Sequence, residues 1–176
     1  MIEMRFHGRG GHGTVRGCQT LVKAFVEDGK YAQFIPAFGV ERKGSPVYGY
    51  LRQDEKAIRY NCEVYYPDII VVSDYTLLKT IDVFKGAKNN SLFIINSPKK
   101  PVDIKTPDGI ITATVNATDI ALETIRVDIP NTAMLGAICK MFDAINRDIL
   151  RSRIVGTFGE ANGAAFDNGY KRVLFN

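Results

Sequence analysis

Two short stretches constrain the fold most: Asp68–Ser73 (Asp-Ile-Ile-Val-Val-Ser) and Ser91–Asn96 (Ser-Leu-Phe-Ile-Ile-Asn) are continuous apolar runs with no alternation. A strand with one face in water alternates apolar with polar residues, so unbroken runs fit central strands covered on both faces. A helix around Tyr75–Phe84 is expected to link them, which makes a right-handed βαβ unit. Gly109–Val115 reads as a further strand, followed by a helix near Thr118–Thr124.

The N-terminal part supplies another strand–helix pair. Residues Ile2–Phe6 alternate and then meet a glycine cluster. From Thr14 to about Val26, Val15, Cys18, Leu21, Val22, Phe25 and Val26 keep helical spacing, and Gly29 supplies a stop. Tyr31–Ile35 reads as a short strand ended by Pro36. Val47–Arg52 and Ala57–Tyr60 flank Gln53-Asp54-Glu55-Lys56 and suggest an antiparallel hairpin. From Asn131 onward the pattern is helical. Asn131 is a candidate cap for a helix with Met134, Leu135, Ile138 and Phe142 on its apolar face. A second short helix is expected near Asp148, and a third from Glu160 towards Arg172. The expected fold is α/β: a single three-layer α/β/α domain over residues 1–176, with a mostly parallel central sheet and an added antiparallel hairpin.

Composition narrows the function. The apolar fraction of 45% and charged fraction of 24% are ordinary for a globular protein. A net charge of +4, with no Lys/Arg run beyond two residues, is compatible with an anionic ligand and argues against nucleic acid. Cys18, Cys62 and Cys139 lie far apart with no CxxC pairing, so neither an iron–sulfur cluster nor a zinc site is expected; scattered thiols fit a reducing compartment. The opening Met-Ile-Glu-Met-Arg-Phe-His lacks the apolar core of a signal peptide, and no run approaches the roughly 18 apolar residues of a bilayer span. A soluble, cytoplasmic protein with no membrane partner is expected.

The sharpest motif is Gly8-Arg9-Gly10-Gly11-His12-Gly13, between the first strand and first helix. Glycines allow close backbone approach, and a helix start directs free N–H groups and positive partial charge at the loop. A phosphate or pyrophosphate is the natural guest, with Arg9 and Arg16 able to add charge-assisted hydrogen bonds. Gly8, Gly10 and Gly13 satisfy GxGxxG, yet a dinucleotide site also wants an acid at the end of the second strand. That strand ends Phe34-Ile35-Pro36-Ala37. A tight turn without a ligand is the plainer alternative. His12 fits either a ligand contact or a hydrogen-bonded loop residue.

The stretch Pro36–Gly49, with two prolines and three glycines, shows no period and reads as a long ordered loop; its anomalous part is Pro36–Val47 (Pro-Ala-Phe-Gly-Val-Glu-Arg-Lys-Gly-Ser-Pro-Val). In a parallel sheet it can lie on the same edge as the glycine loop. Arg42 offers planar recognition of phosphate or carboxylate, Lys43 a mobile charge, and Phe38 a stacking surface; Glu41 can steady Arg42. Phe38, Gly39, Glu41, Gly44, Ser45 and Pro46 form a candidate partner or ligand contact loop. A loop that contacts only another subunit remains the alternative.

Together these segments resemble the gamma subunits or gamma domains of 2-oxoacid:ferredoxin oxidoreductases. Met4–Gly13 is similar to the family's opening, where Gly-Arg-Gly-Gly-Gln-Gly is usual; His12 stands in the glutamine place. Pro36, Phe38-Gly39, Glu41-Arg42 and Gly44-x-Pro46-Val47 resemble its Pro-x-Phe-Gly-x-Glu-Arg-x-Gly-x-Pro-Val segment, and Arg52, Pro67-Asp68 and Asn131-x-x-x-x-Gly136-Ala137 also fit. Glu41–Pro46 looks more like the pyruvate or branched-chain type than the 2-oxoglutarate type.

The resemblance implies a subunit, inactive alone, of a heterotetrameric pyruvate:ferredoxin or flavodoxin oxidoreductase that oxidatively decarboxylates pyruvate to acetyl-CoA. Thiamine pyrophosphate, Mg and iron–sulfur clusters would reside on partner subunits, because this chain has neither a cysteine array nor the Gly-Asp-Gly…Asn motif. No catalytic residue or metal ligand is expected here. The resemblance implies instead that Gly8, Arg9, Gly10, Gly11, His12, Gly13, Arg42 and Lys43 help to bind coenzyme A. A purely structural docking subunit and a Rossmann-like dinucleotide-binding domain are the competing readings.

Overall fold

The computed structural model describes residues 1–37 and 44–176. In chain order the elements are β1 (Ile2–Arg9), α1 (Thr14–Glu27), β2 (Tyr31–Ala37), β3 (Pro46–Asp54), β4 (Ile69–Val72), β5 (Leu92–Asn96), β6 (Ile111–Val115), α2 (Ala117–Thr124), α3 (Asn131–Met141), α4 (Arg147–Phe158), α5 (Glu160–Arg172) and β7 (Leu174–Phe175). The strands form one sheet in the order β2-β3-β1-β4-β5-β6-β7. Its centre, β1-β4-β5-β6, is parallel; β2 and β3 add an antiparallel hairpin at one edge, and β7 is antiparallel at the other.

The continuous apolar runs are the adjacent strands β4 and β5, covered on both faces as expected. Ile69, Val71 and Ile94 face a large core shared with the five α-helices, whereas Ile70, Val72, Phe93 and Ile95 face a smaller core with Leu77, Val83 and Ile110. That second face is covered mainly by irregular chain. The helix expected over Tyr75–Phe84 is only a 3-10 helix, Tyr75–Lys79, capped by Asp74, whose carboxylate accepts the Thr76 N–H.

The hairpin differs in its partner. Ala57–Tyr60 is not a strand, and β3 turns back on β2, with Pro36 opposite Gly49. Pro36 therefore lies within β2 rather than ending it. This costs little, because β2 is an edge strand. The helix near Asp148 is full length, and α5 runs over the expected Glu160–Arg172. Pro130 holds the cap position of α3, with Asn131 its first residue. Gly136 and Gly169 bring α3 and α5 into backbone contact: a Cβ on either would sit 2.1 Å from Phe166 O or 2.0 Å from Ala133 O.

Two buried arginines hold the chain that continues from Ala57–Tyr60 without a ladder. Arg52, 2% exposed, donates through Nε to Glu3 (2.8 Å), through Nη1 to Cys62 O (2.8 Å) and through Nη2 to Glu63 O (2.9 Å). Arg5 donates through Nη2 to Val83 O (2.8 Å) and Lys85 O (2.6 Å). Carbonyls that strand pairing would otherwise satisfy end on guanidinium groups instead. Arg52→Met should therefore destabilise the chain by about 3 kcal/mol, since it orphans the Cys62 and Glu63 carbonyls and leaves Glu3 without its buried cation. Urea denaturation of both forms measures this; a midpoint equal to wild type would contradict it.

Candidate functional site

The carboxyl end of β1 carries the site. Its ladder with β3 runs to Arg9 opposite Pro46, and backbone bonds extend it into the glycine loop: Gly10 N donates to Ser45 O (2.9 Å) and Gly44 N to Gly10 O (3.0 Å). The glycine loop and the described end of the second loop are thus one paired ledge. Phe38, Gly39, Glu41, Arg42 and Lys43 lie outside the described residues.

Two glycines make the turn possible. Gly13 is left-handed at φ +73°, and a Cβ there would lie 2.6 Å from Asn131 Nδ2. A Cβ on Gly8 would lie 2.1 Å from Thr14 Oγ1. Asn131 holds the turn from α3, donating through Nδ2 to Gly13 O at 3.2 Å while its Oδ1 accepts the Thr132 N–H at 2.8 Å. Helix α1 starts without a side-chain cap, and its first regular bond is Gly17 N to Gly13 O. The preceding N–H groups have no partner within the helix and face the loop. Among the described residues, the buried Thr14 Oγ1 and His12 Nδ1 also have no hydrogen-bond partner.

This helix start opens on a cavity of about 740 Å³, within the range of small-molecule and cofactor sites. One side is the glycine loop with Arg9, Val15 and Arg16; the other is Ile125, Val127, Ile129 and Phe158, with Asn131 and Asn162 between. Asn162 is itself held, accepting from Thr132 Oγ1 (3.1 Å) and donating to Phe158 O (2.9 Å). The apolar wall had a signal in the sequence: Ile125-Arg126-Val127-Asp128-Ile129 alternates between α2 and Pro130. It is not a strand; Arg126 takes a left-handed φ of 61° just after α2, its N–H donating to Ala121 O.

The expected site residues are not equivalent. Gly8, Gly10, Gly11 and Gly13 form the turn, His12 is half-buried on it, and Arg16 is exposed at the cavity. Arg9 is engaged elsewhere. Its Nε donates to Asp74 Oδ2 (2.5 Å), Nη1 to Gly44 O (2.9 Å) and Nη2 to Thr76 Oγ1 (2.7 Å). Asp74 and Thr76 were not singled out from sequence. Of the contact loop, Gly44 and Ser45 join the ledge, and Pro46 is exposed at the start of β3. Among the described residues no group of three His, Cys, Asp or Glu could hold a metal ion, and no helix is long and apolar enough to cross a membrane.

His7 is buried beneath this end of β1, edge-on to Tyr48 at 5.4 Å, and neither ring nitrogen has a partner among the described residues. Burial, assisted by the Arg5 charge, lowers its pKa to about 3. The folded state therefore keeps His7 neutral, while the unfolded chain takes up a proton below about pH 6.5. Stability from this group is full above pH 6.5 and is lost as pH falls from 6.5 towards 3. Replacing His7 by Leu should flatten the pH dependence of the unfolding free energy over that interval by up to one proton; parallel curves would refute this.

Comparison with known proteins places this geometry. Residues 3–172 match the family described as pyruvate ferredoxin/flavodoxin oxidoreductase. The chain is 42% identical over 178 residues to pyruvate synthase subunit PorC of Methanocaldococcus jannaschii, covering 99% of this chain and 98% of that one. It is 40% identical over 183 residues to the pyruvate/ketoisovalerate oxidoreductases common subunit gamma of Thermococcus kodakarensis, again covering 99% and 98%. The crystal structure of pyruvate oxidoreductase subunit PORC from Thermotoga maritima superposes with a TM-score of 0.88 at 34% identity, over 99% of this chain and 98% of that one.

Proposed function

The chain belongs to the pyruvate ferredoxin/flavodoxin oxidoreductase family, and from that premise we propose that it is the gamma subunit of a multisubunit pyruvate (2-oxoacid):ferredoxin or flavodoxin oxidoreductase, working in the cytoplasm, whose cavity receives coenzyme A. Thiamine pyrophosphate, Mg and the iron–sulfur clusters belong to partner subunits in this reading. This chain's own part is to bind and orient the thiol substrate.

The observation that carries the reading is the uncapped start of α1 opening on the 740 Å³ cavity. Coenzyme A joins phosphate groups to a long, less polar arm, and the cavity is divided the same way. Free N–H groups, the helix dipole and Arg16 favour the phosphates. The Ile125–Ile129 wall with Phe158 suits the arm, and Asn131 and Asn162 offer amide hydrogen bonds to it. Gly8, Gly10, Gly11, His12 and Gly13 make the turn that lets the ligand approach, and Arg42 and Lys43 are retained on charge alone as further contacts. Holding the thiol in place would contribute through proximity rather than proton transfer.

A dinucleotide site is less well supported. The antiparallel β3 separates β2 from β1, so the strand that would carry a ribose-binding acid is not the neighbour of the glycine loop. In the assembled oxidoreductase, Arg16→Ala should raise KM for coenzyme A about fivefold, the loss of one exposed charge-assisted contact, and leave KM for pyruvate unchanged. Gly13→Ala should raise it further, because it disturbs the turn itself. If both variants assemble and neither changes KM for coenzyme A, the purely structural docking subunit becomes the better reading.

A further inference from the structure

Arg9 lines the cavity, yet its guanidinium is turned into the protein. Thr76 Oγ1 accepts from Arg9 Nη2 at 2.7 Å and donates to Asp74 Oδ1 at 2.6 Å, while Asp74 Oδ2 accepts from Arg9 Nε at 2.5 Å. The three side chains form a closed ring. From it, Arg9 Nη1 reaches the carbonyl of Gly44 at 2.9 Å. Arg9 thereby joins three segments that no single strand ladder connects: the glycine loop, the entry to β3, and the turn after β4. Asp74 is 15% exposed and Arg9 25%, so water screens this pair less than it would a surface pair. Burial works against the ionised Asp74, but the bonds from Thr76 and Arg9 outweigh it and hold its carboxyl below the usual range. The ring is a fixed pair of charges, not a mobile cation awaiting a ligand.

We propose that Asp74 is a positioning residue that acts through Arg9, holding the glycine loop and the Gly44–Ser45 return as one rigid ledge, and that Arg9 serves the cavity by this brace rather than as an anion ligand. The inference rests on the reading that the cavity receives coenzyme A. A loop fixed in the free protein need not be ordered when the ligand arrives, so the brace should appear as affinity for coenzyme A and not as turnover. The opposite arrangement predicts the opposite sign. If Arg9 gripped phosphate and Asp74 merely masked it, removal of the Asp74 charge would free a cation and tighten binding.

The test is steady-state kinetics of the assembled oxidoreductase carrying Asp74→Asn, Asp74→Glu or Thr76→Val. The expected result for Asp74→Asn is a KM for coenzyme A raised about tenfold, the equivalent of one charge-assisted bond, with kcat and KM for pyruvate unchanged. Asp74→Glu should recover part of the loss, and Thr76→Val should show a smaller rise. An unchanged or lowered KM for coenzyme A in Asp74→Asn overturns the proposal, as does a parallel rise in KM for pyruvate. Should Asp74→Asn fail to assemble, Thr76→Val is judged by the same criteria. Arg16→Ala and Gly13→Ala separate the two ideas. If they raise KM for coenzyme A while the Asp74 and Thr76 variants do not, only the brace is wrong; if they too leave it unchanged, the coenzyme A reading fails with it.

Discussion

The structure depends on the way β1 is paired. One edge runs antiparallel to β3 over the full length of β1, and the other runs parallel to β4 over Met4–His7. A strand held on both sides cannot shift register without moving Met4 and Phe6 out of the helical core. Its carboxyl end is therefore fixed relative to both halves of the sheet, and the glycine turn begins from that fixed point. The α3 start reaches the same point through Asn131, so sheet and helical layer meet at Gly13.

Much of this was legible in the sequence because the signals were local. The unbroken apolar runs of β4 and β5, the spacing from Val15 to Val26, and glycines placed between strand and helix each reflect forces acting within a few residues. The misreadings came from long-range effects. Ala57–Tyr60 resembles a strand, but its neighbourhood is tied down by Arg52 and not by a ladder. Pro36 resembles a terminator because sequence does not reveal that β2 would be an edge. The short Tyr75–Lys79 turn is held at its start by Asp74, whose side chain serves both Thr76 and the distant Arg9, a tie that local pattern does not display.

The site divides in the same manner. The glycine loop and its juxtaposition with Gly44–Ser45 follow from chain order and strand direction, which sequence patterns do convey. The apolar wall is conveyed only in part: its alternation is visible, but Ile125, Val127 and Ile129 reach the cavity because the chain turns at the left-handed Arg126, just after α2. Nor is the division of labour among the arginines visible in one dimension. Arg5 and Arg52 are buried against carbonyls, Arg9 is locked to Asp74, and Arg16 is left at the cavity. Four residues of one type perform three tasks because of what surrounds them.

The contrast between the two faces of the sheet has a consequence for motion. The α-helices of the described residues all share one core, whereas the opposite covering is mostly non-repetitive chain attached to Arg5 and Arg52. Each guanidinium grips two or more carbonyls at once, so release of one frees a whole stretch rather than a single peptide. The chain around residues 62–64 and 83–85 would then come loose as whole stretches, well before α3, which opens only with the core.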